Sequence, residues 1–383
     1  MAFVRRASRH RASLGDAEFP YEAGRYVLYV SYACPWANRA ALVAKLKGLD
    51  EKVLPVVSVH PTWQRTKPGV DSHCGWVFRA PGEGVVPLAL LDNVTAQEGK
   101  VAKGSALNEV SAAGEVGKQT EIRTANCGVD SYSGWNCRTL RELYEKCGDS
   151  LETGGKFTTP LLFDRKQRKI VNNESSEIIL QLNNWPADAS NGATTGSVDL
   201  YPLHLKKDID EWNEFTYDRI NDGVYQCGFA RTQVAYDRAV DKLATSMQKL
   251  EDRFAEEPSR AFLVGDQLTI ADVRLFQTLV RMDECYVIYF KCYAASLRNF
   301  PLLLRYTARI YQMPEVQACT FVRDCKIHYF TSHPHLNAFA VVPRDSQVVE
   351  LLEQPPDTLI YSKSGASKGL LGFLRDFFTK RIC

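Results

Sequence analysis

The tightest constraint on this fold is an abrupt change of pattern at one point in the chain. An apolar, aromatic stretch ending at Val30 has the character of a β-strand, and Ala40-Ala41-Leu42-Val43-Ala44-Lys45-Leu46 has that of a helix. Between them runs Ser31-Tyr32-Ala33-Cys34-Pro35-Trp36-Ala37-Asn38-Arg39. Proline suits the first helical position, where its missing N–H would have no intrahelical partner. Cys34 is therefore expected at a strand-to-helix turn, facing the positive end of the helix dipole and unpaired N–H groups. Such settings lower a thiol pKa from about 8.5 towards 7 or below and make a thiolate nucleophile. The competing reading is a small buried apolar residue. Three residues on stands Ala37, not a second cysteine, so the sulfur cannot close a C-x-x-C disulfide. Its chemistry must be resolved by an external thiol.

The neighbouring segments extend the pattern. Arg25–Val30, the helix Pro35–Lys47 and a second strand over Lys52–Val59 make a βαβ unit. Residues 61–90 read as irregular, and residues 93–134 as a long inserted loop of small and polar residues. Helical character resumes from Thr139 to Lys146. Phe157–Phe163 and Lys169–Asn173 form an expected hairpin, and Glu174–Leu182 a helix whose start is rich in capping residues. The order β-α-β-α-β-β-α is thioredoxin-like. Beyond Pro202 the chain reads as all helix. Val240, Leu243, Met247, Leu250 and Phe254 recur at helical spacing, as do Ile270, Val273, Phe276 and Val280. Thr269 and Asp272 make a capping box. Leu302–Tyr311 and Pro314–Lys326 continue the bundle. Gly369–Lys380 is expected to be a short amphipathic helix that docks on the protein.

With 383 residues the chain has room for two domains. A net charge of +2 gives no reason to propose a nucleic-acid partner. No apolar run reaches the roughly 18 residues of a membrane span. Eleven scattered cysteines suggest a reduced, cytoplasmic setting. Arg5, Arg6, Arg9 and Arg11 leave organellar targeting open, with an ordered N-terminal arm the preferred reading. Cys325, His328, His333 and His335 fit no zinc spacing, and no metal is expected.

A thioredoxin-like half followed by a helical half is the layout of soluble glutathione transferases. The run Tyr29–Arg39, with its Cys34-Pro35-Trp36-Ala37 core, resembles the catalytic run of the glutathionyl-hydroquinone reductases, or Xi-class glutathione transferases. Similar to that family's runs are also Ile170–Ile179, Asn221–Tyr225, Gly228–Ala230, Tyr289–Cys292 and His328–Phe330 with Ser332-His333. Phe3–Arg5 and Ser8–Arg11 resemble its N-terminal arm. The resemblance spans residues 3–342, apart from the loop at 93–134. Asn38 stands where the family usually has His, Thr159 where it has Val, and Phe330 where it commonly has a second Tyr.

The resemblance implies an α/β plus all-α architecture. An arm (1–24) precedes a thioredoxin-like glutathione-binding domain (25–185). A linker (186–202), an all-helical domain (203–342) and a C-terminal extension (343–383) follow. It implies reduction of glutathionyl-hydroquinones through a mixed disulfide between Cys34 and glutathione, the co-substrate. Trp76, Arg141, Thr159, Pro160, Glu174 and Ser175 would bind glutathione, with Pro160 in cis. Tyr225, Tyr329 and Tyr286 would face the phenolic substrate, and the protein would pair as a homodimer. Two other readings stay open: a general thiol transferase of omega-like type, and a non-catalytic transferase-fold interaction protein, a kind that often loses the catalytic residue this chain keeps. A conjugating transferase normally uses Tyr or Ser in place of Cys34.

Overall fold

A computed structural model describes residues 7–91, 121–190 and 198–359. The first half is built from β1 (Tyr26–Val30), α1 (Pro35–Leu46), β2 (Val56–Ser58), a small ribbon of β3 (Gln64–Arg65) and β4 (Cys74–Gly75), α2 (Leu140–Lys146), β5 (Leu161–Asp164), β6 (Lys169–Asn172) and α3 (Ser175–Asn183). The main sheet has the order β2-β1-β5-β6, with β2 parallel to β1 and the other two pairings antiparallel. Every residue of β1 is buried, which explains its unbroken apolar run. Period-two alternation divides it between two cores. Tyr26, Leu28 and Val30 face α1, α3 and the helical half, while Val27 and Tyr29 pack with Leu140, Leu143 and Tyr144 of α2. Each fully buried Val or Leu here contributes roughly 1.5–3 kcal/mol.

Three expected elements differ in extent. The second strand is confined to Val56–Ser58, because Asp50 Oδ1 accepts the N–H groups of Lys52 (2.9 Å) and Val53 (3.2 Å) and turns the chain first. The strand expected from Phe157 starts only at Leu161, after Pro160, which has no N–H for a ladder. The helix expected over Pro314–Lys326 is two, Pro314–Gln317 and a later one that runs to Thr331. Between them Phe321 sets its ring edge-to-face on Tyr32 at 4.8 Å.

The second half contains α4 (Lys206–Thr216), α5 (Gly223–Gly228), α6 (Gln233–Glu256), α7 (Ile270–Leu279), α8 (Pro301–Tyr311) and α9 (Val322–Thr331). Short π-helical turns, Tyr217–Asn221 and Met282–Tyr286, precede α5 and follow α7. Leu243, Met247, Leu250 and Phe254 of α6 are buried as their spacing implied. The capping box at the head of α7 is present. Asp272 also accepts from Leu263 N (2.7 Å) and the Tyr306 hydroxyl (2.8 Å), which fixes α7 against its neighbours. No helix among the described residues is long and apolar enough to cross a membrane.

The inserted loop and the C-terminal extension both carry anchors. Residues 121–134 carry few aliphatic side chains, Ile122 and Val129 the largest, and are tied mainly by polar ones. Asp130 is buried and accepts the Tyr29 hydroxyl (2.5 Å), Ser133 N (3.1 Å) and Cys137 N (2.9 Å). Asp324 of α9 accepts from Thr124 (3.0 Å) and Asn126 (2.9 Å). Past Pro343 the chain stays packed as far as Leu359, with Val348, Leu352 and Leu359 in the main core. Lys326, ion-paired to Glu284 (3.0 Å) and Asp345 (2.7 Å), holds its start. The amphipathic segment Gly369–Lys380 and the N-terminal Phe3–Arg5 lie outside the described residues.

Candidate active site

Cys34 is the N-cap of α1, with Pro35 at the first helical position, and is partly exposed. Its own N–H is spent on the Ser31 carbonyl (3.1 Å). The turn before it is held from across the domain boundary. Arg281, just beyond α7 and fully buried, donates to the carbonyls of Tyr32 (2.8 Å) and Ala33 (3.4 Å). Asn38 Nδ2 (3.2 Å) and the Cys325 thiol (3.7 Å) converge on the same Tyr32 carbonyl. Asn38 thus has a positioning contact that needs no histidine.

The Thr159–Pro160 bond is cis, as the sequence reading expected. It borders a cavity of about 880 Å³ together with Trp36, Arg39, Thr158, Glu174, Ser175 and Arg274. Residues of the N-terminal arm close one side. Ala12 N donates to Val171 O (3.0 Å) and Asn173 N to His10 O (3.0 Å), so the arm covers the exposed edge of β6. Glu174 is the N-cap of α3. Its carboxylate accepts from Ser8 Oγ (2.9 Å), Ser176 N (3.2 Å) and Ser176 Oγ (2.9 Å). Burial would raise its pKa, but these bonds and the charge of Arg39 together bring it below the ordinary glutamate value. Ser175 Oγ accepts from Arg39 Nη2 at 2.6 Å.

The three tyrosines meet. The Tyr329 hydroxyl is 2.7 Å from that of Tyr225 and 3.1 Å from that of Tyr286. All three are buried, and burial pushes Tyr286 and Tyr329 far above the usual phenol range, so they are neutral proton carriers. Tyr225 also lies 6.3 Å, ring to ring, from Trp36. Phe330, beside them on α9, packs its ring against Tyr289 at 4.9 Å.

Among the sequence-selected residues, Thr159, Pro160, Glu174 and Ser175 line the cavity, and Cys34 heads the helix that contributes Trp36 and Arg39 to it. Trp76 and Arg141 stand elsewhere. Trp76 is buried, stacked on His328 (4.6 Å between centroids) and edge-on to Trp63 (5.5 Å). Arg141 is locked to Asp71 (2.7 Å) and Glu145 (2.8 Å), and holds the Asp71 carboxyl down at about 2. Sequence reasoning passed over Arg39, Arg274 and Arg281. A signal existed for Arg39: Ala40 to Ala44 leave α1 without a continuous polar face, so an arginine there is buried.

Comparisons with known proteins identify the family. A family model described as glutathione S-transferase, N-terminal domain, matches residues 33–185, and the corresponding C-terminal domain model matches residues 233–309. The chain is 35% identical over 341 residues to the glutathionyl-hydroquinone reductase PcpF of Sphingobium chlorophenolicum, covering 89% of this chain and 88% of that protein. It is 34% identical to the glutathionyl-hydroquinone reductase YqjG of Escherichia coli, covering 86% and 81%. The glutathione-bound structure of YqjG superposes with a TM-score of 0.68, at 32% identity over 91% of this chain and 95% of that one. The Xi glutathione transferase of Phanerochaete chrysosporium also gives 0.68, at 34% identity over 90% and 97%.

Proposed function

Since the chain belongs to the glutathione S-transferase family, among its Xi-class glutathionyl-hydroquinone reductases, we propose that it uses glutathione to reduce glutathionyl-hydroquinones to free hydroquinones. The observation that carries this reading is the single thiol of Cys34 at the head of α1, with Ala37 in the place a resolving cysteine would occupy.

The Cys34 thiolate attacks the sulfur of the conjugate. The sulfur–carbon bond breaks, its electron pair goes to the ring carbon, and that carbon takes a proton. A Cys34–glutathione disulfide remains. A second glutathione attacks it, releases glutathione disulfide and returns Cys34 to the thiolate. The conjugate's own sulfur and that of the second glutathione supply the two electrons, and Cys34 is unchanged overall. Glu174 would take the γ-glutamyl ammonium, and Ser175 the adjacent carboxylate. The backbone of Thr159, before Pro160, would pair with the cysteinyl unit. The Tyr225–Tyr329–Tyr286 hydroxyl chain would hold the phenol and deliver the proton to carbon. In this reading Trp76 and Arg141 support the site from outside it. We further propose a homodimer, which light scattering at micromolar concentration tests.

Mass spectrometry after incubation with a glutathionyl-hydroquinone tests the mechanism. A glutathione adduct on Cys34 is expected, along with loss of turnover in a folded Cys34→Ala variant. Wild-type turnover in that variant would overturn the reading.

A further inference from the structure

The cavity wall carries two arginines, Arg39 buried and Arg274 partly buried, that make no direct ion pair among the described residues. Arg9 there pairs with Asp149, and Arg11 with Glu177. Arg39 and Arg274 have no carboxylate within ion-pairing distance among the described residues. Arg39, from α1, is 3% exposed and spends one N–H on Ser175 Oγ, and its Nε is unpartnered. Arg274, from α7, is partly buried, its Nε has no hydrogen-bond partner among the described residues, and Asp210 acts on it from beyond contact distance. Glu174 is the carboxylate that acts on both, from beyond contact distance. Burial and the like charge of Arg274 push the Arg39 pKa down, a cost that an incoming anion relieves.

The hydroxyl of Ser175 shows which way the anion faces. Because its oxygen accepts from Arg39, its own proton is directed elsewhere, as a donor. Glu174, one residue earlier, is an acceptor for a cation. An ammonium and a carboxylate on one carbon match this pair, and in glutathione only the γ-glutamyl end carries both.

We propose that Arg39 and Arg274 together recognise the α-carboxylate of the γ-glutamyl unit, so that the helical half supplies charge to a ligand otherwise held by the first half. This rests on glutathione being the co-substrate. It makes Arg274 a specificity residue that excludes thiols lacking that carboxylate.

The test is calorimetry on the full chain with two probes: glutathione, and its analogue in which that carboxylate is a carboxamide. Wild type is expected to prefer the acid by about tenfold or more, the size of a charge-assisted contact. In Arg274→Gln the preference should shrink towards unity through loss of affinity for the acid alone. Arg274→Met, which keeps an apolar stem, serves the same comparison if the glutamine variant does not fold. A variant that weakens both probes equally overturns the proposal, as does a wild type that does not discriminate. A wild type that binds neither probe overturns the glutathione reading itself, and the proposal with it.

Discussion

The Arg281 guanidinium donates to the Tyr32 carbonyl at 2.8 Å, joining the end of a helical-half element to the turn that presents Cys34. It also donates to Gln277 O (2.7 Å) and Gln277 Oε1 (2.8 Å), and no carboxylate pairs with it among the described residues. Its role is therefore to order carbonyls. Arg281→Gln should lower stability by about 3 kcal/mol, because several buried acceptors lose a charged donor together. Urea unfolding measures this. A variant as stable as wild type would show that the turn holds itself.

Tyr329 occupies the middle of the hydroxyl chain, between Tyr225 and Tyr286. Tyr329→Phe should cost about 1–3 kcal/mol of stability. Under the proposed mechanism it should also slow cleavage of a glutathionyl-hydroquinone by about a hundredfold, the range of a lost general acid. Exchange with a small glutathione disulfide, which protonates no carbon, should keep its rate. Equal slowing of both reactions would assign Tyr329 to packing.

Asp130 is the polar anchor of residues 121–134. Asp130→Ala should destabilise by about 3 kcal/mol or more, since Tyr29, Ser133 and Cys137 all lose an acceptor inside the core. Replacing the chain between Leu91 and Glu121 with a short Gly-Ser linker leaves each of those bonds in place, so thermal unfolding should move little. A large fall in the unfolding midpoint on that replacement would contradict this division.

Acid should unfold the protein through the buried His60 and His328 and the partly buried His333. Burial, the largest influence on each, holds His328 at about 3, and His60 and His333 at about 4. Unfolded, each titrates near ~6.5. Between those values the unfolded chain binds protons that the folded chain does not. Stability is therefore full above ~6.5 and falls as the pH drops towards about 4, by up to about 1.4 kcal/mol per pH unit for each histidine. The Asp130 carboxyl, lowered by its hydrogen bonds against burial, adds to the loss only below the ordinary carboxylate range. Urea midpoints measured across this range should fall steadily, and less steeply in His333→Gln. A flat profile would refute the histidine account.

Local chemistry made much of this protein legible. A strand buried on both faces must be apolar throughout, proline starts a helix, and Thr269 with Asp272 caps one. Hence β1, α1, the head of α7 and the position of Cys34 followed from neighbouring residues alone. The capping residues at the start of α3 marked a helix head for the same reason, while the choice of Glu174 and Ser175 as ligands came from the family resemblance. What stayed hidden depends on partners distant in the chain. Nothing near Trp76 announces His328, and nothing near Arg141 announces Asp71. Arg274 and Arg281 look like ordinary helix arginines until folding carries α7 against α1 and takes Arg281 fully, and Arg274 partly, out of water. The anchoring of residues 121–134 by Asp130 and Asp324 was invisible because hydropathy counts apolar surface and not hydrogen bonds. Sequence decides which segments become strands and helices, since those preferences are settled within a few residues. Which buried charge meets which carbonyl, and which cavity stays electropositive, is decided only when the two halves close on each other.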